Sequence, residues 1–157
     1  MMKKGLLLLC VMMLLTGCGM FKKKKKPPPP PEPTRVVLEF EASGDINPNG
    51  EGRPSPLGIR IYQLKFYSAF GKADFFSLYD NDEQVLGREL LKKQEILLKP
   101  NEKRTVFFEA EDDTQTVGLM GTFMDYENVQ WKAAAGIQAN KTTVINVTIN
   151  SAGITVR

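Results

Sequence analysis

Apolar and polar residues alternate along most of the chain after residue 34, and this period of two is typical of β-strands that bury one face. Val36, Leu38 and Phe40, for example, alternate with Val37 and Glu39. The alternating runs and the turn residues between them predict seven strands and a short eighth. The predicted strands cover residues 36–42, 57–61, 95–99, 106–110, 117–123, 131–137 and 143–149, followed by 153–156.

Residues 68–91 do not follow this period. Apolar residues recur there every three or four positions, first at Ala73, Phe76 and Tyr79, which is the spacing of a helix with one buried face. Turn-forming residues at 80–82 are expected to interrupt it. We predict an all-β fold, an antiparallel β-sandwich with a short helical insertion between strands 2 and 3. The aromatic residues of the insertion are expected to pack against the sandwich.

The first 17 residues have the composition of a secretory signal peptide. Lys3 and Lys4 precede an apolar run over residues 6–15, which is about half of the ~20 residues that a membrane-spanning helix needs. The run closes on Leu-Thr-Gly-Cys at 15–18, which looks like a bacterial lipobox, where the cysteine is lipidated and the chain is cut before it. We predict a lipoprotein signal peptide over 1–17 and a covalent lipid on Cys18. A plain signal peptide with a chance cysteine is the alternative.

Residues 18–33 are predicted to form the lipidated Cys18 and a stalk rich in Lys and Pro. Lysines occupy residues 22–26 and prolines 27–31, and proline favours an extended polyproline II conformation. The lysines suit either a contact with anionic lipid headgroups or a solvated spacer. In lipoproteins resembling this one, Asp after the cysteine tends to retain the protein at the inner membrane. Gly19 therefore favours the outer membrane, with a β-sandwich domain over 34–157 in the periplasm.

Charge and residue content exclude several function classes. Of the 21 basic residues, 7 precede residue 34, so the predicted domain holds 14 basic and 17 acidic residues and has a formal charge of −3. This is not the charge of a nucleic-acid-binding domain. The chain has no His, and its two cysteines are Cys10, in the signal peptide, and the lipidated Cys18. We therefore predict neither an enzyme nor a metal site, and no cofactor besides the lipid. The carboxylate clusters at 80–83 and 109–113 are expected to be solvated turns.

The connection between the first two predicted strands, residues 43–56, is too long for a hairpin loop. Long ordered loops tend to carry function, so we predict a partner-binding projection, with a flexible tip as the alternative. Ile46 is its only large apolar residue, so we expect the loop to contribute little to the core. The predicted partner-binding residues are Gly44, Asp45, Ile46, Asn47, Asn49, Gly50, Glu51 and Arg53.

Several motifs make the domain resemble the type VI secretion outer-membrane lipoprotein family (TssJ, also SciN). The most specific are Gly-Arg-Pro-Ser-Pro at 52–56 and Ala-Asp-Phe-Phe at 73–76. Further residues match the family and follow one another in the same order: Asn47, residues 60–64 and 70–79, Leu86-Gly87, residues 100–102, Phe123, Asp125 and Trp131. The sequence departs from the family at Asn101, where Gly is usual, and at Met124 and Lys132, where Arg is common.

The resemblance implies a transthyretin-like β-sandwich and a role in secretion. A lipoprotein of this family docks onto the periplasmic C-terminal part of the inner-membrane protein TssM, and with TssL the two form a trans-envelope complex. The loop between the first two strands takes part in the TssM contact, and residues 44–56 match it here. The resemblance implies neither a nucleic-acid partner nor a small-molecule substrate.

Two other functions are compatible with the residues themselves. A periplasmic lipoprotein that binds a small ligand or glycan would need exposed aromatic side chains, for which the candidates are Trp131, Tyr126 and Tyr62. An accessory lipoprotein of another envelope machine, such as a pilotin or an inhibitor, would use the same long loop differently.

Overall fold

The computed structural model describes residues 30–157, which form two four-stranded sheets packed face to face. The signal peptide, Cys18 and the stalk before residue 30 lie outside the described residues. Within residues 30–157, no helix is long and apolar enough to cross a membrane. The strands are β1 (Arg35–Ala42), β2 (Leu57–Leu64), β3 (Leu90–Leu98), β4 (Lys103–Glu109), β5 (Thr116–Gly121), β6 (Lys132–Gly136), β7 (Thr142–Asn150) and β8 (Gly153–Val156).

The first sheet has the strand order β4-β1-β7-β8 and the second has the order β3-β2-β5-β6. Neighbouring strands in the described sheets are antiparallel, except that β1 and β7 pair in parallel, with Leu38 opposite Ile145. The predicted β-sandwich is confirmed, and this parallel pair is the departure from a purely antiparallel arrangement.

The core lies between the sheets and is built from the alternating positions. Val36, Leu38 and Phe40 of β1 are at most 2% exposed, and they pack with the alternate apolar residues of β7 and β2. Strand β2 departs from alternation, because Tyr62 and Leu64 are also fully buried, under the helices. Burial on both faces makes β2 the central element that holds sandwich and insertion together.

The insertion between β2 and β3 consists of helix α1 (Ser68–Lys72), helix α2 (Phe75–Leu86) and a 3-10 turn (Gly87–Glu89). Helix α2 begins after Asp74, whose side chain accepts a hydrogen bond from the Ser77 N–H at 3.0 Å and so caps the first turn. The predicted interruption occurs at Asn81, where the backbone leaves the helical region. The helix ends at Leu86 and is followed by Gly87, whose φ of 48° suits a residue without a side chain.

Several strand boundaries differ from the prediction by a few residues, and two of these differences have a local cause. Strand β3 begins five residues early, at Leu90, because its first residues pair with the end of β2, where Lys93 lies opposite Tyr62. Strand β5 ends at Gly121, and Phe123 enters the core from the following loop, where it is 3% exposed.

Candidate partner-binding site

The β1–β2 loop, residues 43–56, folds back over one end of the sandwich. Ile46 is fully buried and belongs to the core cluster between the sheets. The expectation that the loop contributes little to the core was wrong. Ile46 is also not available as an exposed contact residue, because its apolar side chain is removed from water inside the domain.

Asn47 holds the loop in this position. It is 4% exposed, and its φ of 44° places it in the left-handed region that Asn tolerates better than most residues. Its Nδ2 donates to the Pro56 carbonyl at 2.9 Å, and its Oδ1 accepts from the Met124 N–H at 2.9 Å. The Ser55 hydroxyl donates to the Asn47 carbonyl at 2.5 Å. Asn47 therefore closes the loop on itself and fixes it to the β5–β6 connection, and its buried side chain is not part of the exposed surface.

The loop tip is a compact turn built around Asn49. The Asn49 Oδ1 accepts hydrogen bonds from the Glu51 N–H at 3.0 Å and from the Arg53 N–H at 2.9 Å. The Gly52 N–H donates to the Asn49 carbonyl at 2.8 Å, and Gly52 has a φ of 75°. Gly50 is exposed at the same turn. The predicted alternative of a flexible tip therefore does not match this hydrogen-bonded geometry.

Glu51 and Arg53 are the charged groups that the tip presents. Their side chains form an ion pair and are 68% and 75% exposed. An ion pair this exposed contributes little to stability, so both groups remain available to a partner.

Asp45 and Gly44 lie at the base of the loop and are exposed. Hydrogen bonds from the Ser43 hydroxyl and from the Ser151 hydroxyl, the latter at 2.7 Å, lower the pKa of Asp45 below its usual value. A side chain on Gly44 would meet Asn101, so a residue without Cβ suits this position.

An aromatic cluster packs on the β5–β6 connection, to which Asn47 fixes the loop, and the sequence-based site prediction did not include it. The Phe75 ring stacks on Tyr126 at 4.4 Å and on Tyr79 at 5.6 Å, and it meets Trp131 edge-on at 5.3 Å. Phe75 is 8% exposed, as the packing prediction required, but Phe76 and Tyr79 are 54% and 44% exposed. The aromatic residues at 75, 76 and 79 were visible in the sequence. Their helical spacing does not say which of them face solvent.

The side chains proposed for glycan binding do not form such a site together. Tyr62 is fully buried beneath the helices, and its hydroxyl lies 3.0 Å from Asp82. Tyr126 and Trp131 both pack on Phe75. Because Tyr62 is fully buried, it cannot be part of an exposed glycan-binding surface.

The burial of Asp82 contradicts the expectation that the carboxylates at 80–83 are all solvated. Asp82 is 6% exposed on α2, where Lys93 Nζ lies 2.9 Å from its Oδ1 and Arg60 and Tyr62 approach its Oδ2 at 3.3 Å and 3.0 Å. Burial opposes ionisation, but the hydrogen bonds from Lys93 and Tyr62 and the charges of Lys93 and Arg60 outweigh it and lower the pKa of Asp82. Burial also raises the pKa of Tyr62. The group anchors the helical insertion to β2 and β3.

Among residues 30–157, no group of three or more acidic, His or Cys side chains is placed to hold a metal ion.

Comparison with known proteins identifies the family. The model of the type VI secretion lipoproteins, whose description names VasD, EvfM and TssJ, matches residues 34–152. The crystal structure of the T6SS lipoprotein TssJ1 from Pseudomonas aeruginosa is 32% identical with a TM-score of 0.76, over 80% of this chain and 95% of that one. No curated protein sequence matches significantly.

Two further solved structures share the fold at lower identity. Serratia marcescens Lip, described as a membrane bound component of the type VI secretion system, is 21% identical with a TM-score of 0.75, over 80% of this chain and 96% of that one. A chain of the structure described as the T6SS protein TssM C-terminal domain from EAEC is 22% identical with a TM-score of 0.63, over 78% of this chain and 97% of that one. Because the family model spans nearly the whole described domain, this chain belongs to the type VI secretion lipoprotein family that includes TssJ.

Proposed function

We propose that lipid on Cys18 holds this lipoprotein at the outer membrane and that the β1–β2 loop docks onto the periplasmic part of the inner-membrane protein TssM. Together with TssL, the two proteins would connect the membranes of a type VI secretion system. Family membership supports the secretion role. A chain with this fold is present in the structure described as the TssM C-terminal domain, which makes TssM the partner to test.

The observation that carries the proposal is the construction of the loop tip. Asn49 fixes the backbone N–H groups of Glu51 and Arg53, while both side chains project into solvent. A contact formed by an already ordered loop loses less conformational entropy on binding than one formed by a flexible loop. The two opposite charges also give the tip a means of orienting a partner, since charged groups contribute mainly to association rate and specificity. The proposed activity is binding, not catalysis.

The test is calorimetric titration of residues 18–157, carrying Cys18→Ser, with the periplasmic C-terminal fragment of TssM from the same secretion gene cluster. This protein keeps every residue that the structure describes. The double variant Glu51→Ala/Arg53→Ala should bind at least tenfold more weakly, because both changes remove exposed groups from the tip and leave the fold intact.

A matched control is the double variant Lys92→Ala/Glu111→Ala. This pair forms an ion pair at 2.7 Å with side chains 56% and 46% exposed, and Lys92 lies opposite Gln63, at the far end of β2 from the loop. The control should bind within threefold of the parent. Failure of the parent itself to bind the TssM fragment would overturn the proposed function and favour a different envelope machine.

A further inference from the structure

The exposed tip of the β1–β2 loop has no large apolar side chain. Ile46, the only one in the loop, is fully buried in the core. Protein interfaces draw most of their binding energy from a few buried anchors, in which Tyr, Trp, Arg and Met are enriched. Arg53 is one such residue, but an exposed polar loop alone lacks the apolar part of a stable interface. That part must come from side chains next to the loop.

Met124 is an exposed apolar residue that the structure ties to the loop. Its backbone N–H donates to the buried Asn47 Oδ1 at 2.9 Å, so the loop and the β5–β6 connection are fixed together. The Met124 side chain is 61% exposed. The hydrogen bond uses only the backbone of Met124, which leaves the side chain free to contact a partner.

Exposed aromatic rings of helix α2 lie against the same β5–β6 connection that carries Met124. Tyr126 follows two residues later, and its ring lies 5.0 Å from the ring of Phe76. Phe76 and Tyr79 are about half exposed, and Tyr79 stacks on the same Phe75 ring that supports Tyr126. The exposed rings are therefore held in place by buried or packed neighbours, which reduces the ordering cost of binding.

We propose that Met124, Phe76 and Tyr79 form the apolar half of the docking surface, and that an apolar segment of the same periplasmic partner covers them. This inference rests on the proposed function, because the loop supplies the polar half through Glu51 and Arg53. Continuity through Asn47 is the reason for assigning both halves to one partner. Asn47 acts as a positioning residue between them.

The test uses the same titration with the double variant Met124→Ser/Phe76→Ser. Both side chains are more than half exposed, so the melting temperature should stay within about 2 °C of the parent while binding weakens at least tenfold. The single variant Met124→Glu, which keeps the backbone hydrogen bond to Asn47, should also weaken binding at least tenfold.

The matched control is Phe107→Ser/Val144→Thr. These residues are 59% and 52% exposed and lie opposite Val37 on the outer face of the first sheet, away from the helices. The control should bind within threefold of the parent. A similar loss in this control would overturn the inference, because the effect would then follow from any loss of apolar surface.

The outcomes separate this inference from the proposed function. If Glu51→Ala/Arg53→Ala weakens binding tenfold but the Met124 and Phe76 variants bind within threefold of the parent, the apolar half is wrong and the loop contact stands. If neither set weakens binding, the contact lies elsewhere and both proposals are wrong. If the parent does not bind, the proposed partner is wrong and the inference fails with it.

Discussion

The side-chain oxygen of Asn47 accepts a hydrogen bond from the backbone N–H of Met124 at 2.9 Å, joining two loops that are 77 residues apart in the sequence. The other end of the Asn47 amide donates to the Pro56 carbonyl. One buried amide thus satisfies backbone groups of two loops, which keeps the end of the sandwich closed. The exposed residues on either side of Asn47 are therefore held at fixed positions relative to each other.

Replacing Asn47 by Ala should lower the free energy of unfolding by about 2–4 kcal/mol. The change leaves the Met124 N–H and the Pro56 carbonyl without their partners, and it places a Cβ-bearing residue without a polar side chain at positive φ. Urea unfolding followed by circular dichroism measures the loss. Asn47→Gly should recover about 1 kcal/mol of it, because Gly adopts positive φ without strain.

The control for this prediction is Asn49→Ala. Asn49 also accepts two backbone hydrogen bonds, but they lie in the exposed tip, where water replaces the lost oxygen. Its cost should be about 1 kcal/mol or less. Equal losses at Asn47 and Asn49 would contradict the view that the Asn47 side chain, and not the turn at the tip, helps to fix the loop to the domain.

Ile46→Ala should cost about 2–4 kcal/mol of unfolding free energy, as expected for a large-to-small change in a packed core. Ile46 is fully buried between the sheets, so the deletion leaves a cavity. Denaturant titration of Ile46→Ala and of Glu51→Ala compares the loss of a buried side chain with the loss of an exposed one in the same loop. Glu51→Ala should stay within about 0.5 kcal/mol of the parent. A small effect of Ile46→Ala would mean that the loop detaches readily from the sandwich.

The sequence predicted the sandwich because alternation reports directly which strand face is buried. Val36, Leu38 and Phe40 are buried as their spacing requires, and the helical insertion follows equally from its period. No periodicity exists within a loop, so nothing in the sequence distinguished a buried Ile46 from an exposed one. That distinction depends on how the backbone folds back over the sheets.

Contacts between residues far apart in the sequence could not be predicted in this way. Asp82 sits in an Asp-Asn-Asp run that resembles a turn, and its burial becomes possible only because Arg60 and Lys93 approach it from two strands. Likewise, Met124 is joined to the loop by a hydrogen bond to Asn47, 77 residues away in the sequence. Pairings of this kind carry no local signal in the sequence.

Asp82 should make the stability of the domain depend on acidic pH. Its pKa is lowered in the folded state, so its contribution is complete above the unfolded value, near pH 4, and is lost as pH falls through the folded value. The parent should therefore lose unfolding free energy below about pH 5, and Asp82→Asn should show a flatter profile. At pH 7, Asp82→Asn should be about 2 kcal/mol less stable than the parent.

Urea unfolding between pH 3 and pH 7 measures both effects, and Asp80→Asn is the matched control. Asp80 lies on the same helix but is exposed, so its replacement should leave the pH profile close to that of the parent. Parallel profiles for Asp82→Asn and the parent would show that other carboxylates govern the acid response.

Cys18→Ser should release the folded protein from the membrane. Anchoring by acyl chains gains roughly 0.8 kcal/mol for each buried methylene, whereas the formally negative domain and the lysines at 22–26 supply only a weak attraction that salt screens. Fractionation of the envelope on a density gradient at high salt should place the parent with outer membranes and Cys18→Ser in the soluble fraction. Gly19→Asp should keep the lipid but shift the protein toward inner membranes. If Cys18→Ser still floats with outer membranes at high salt, lipid on Cys18 is not the anchor.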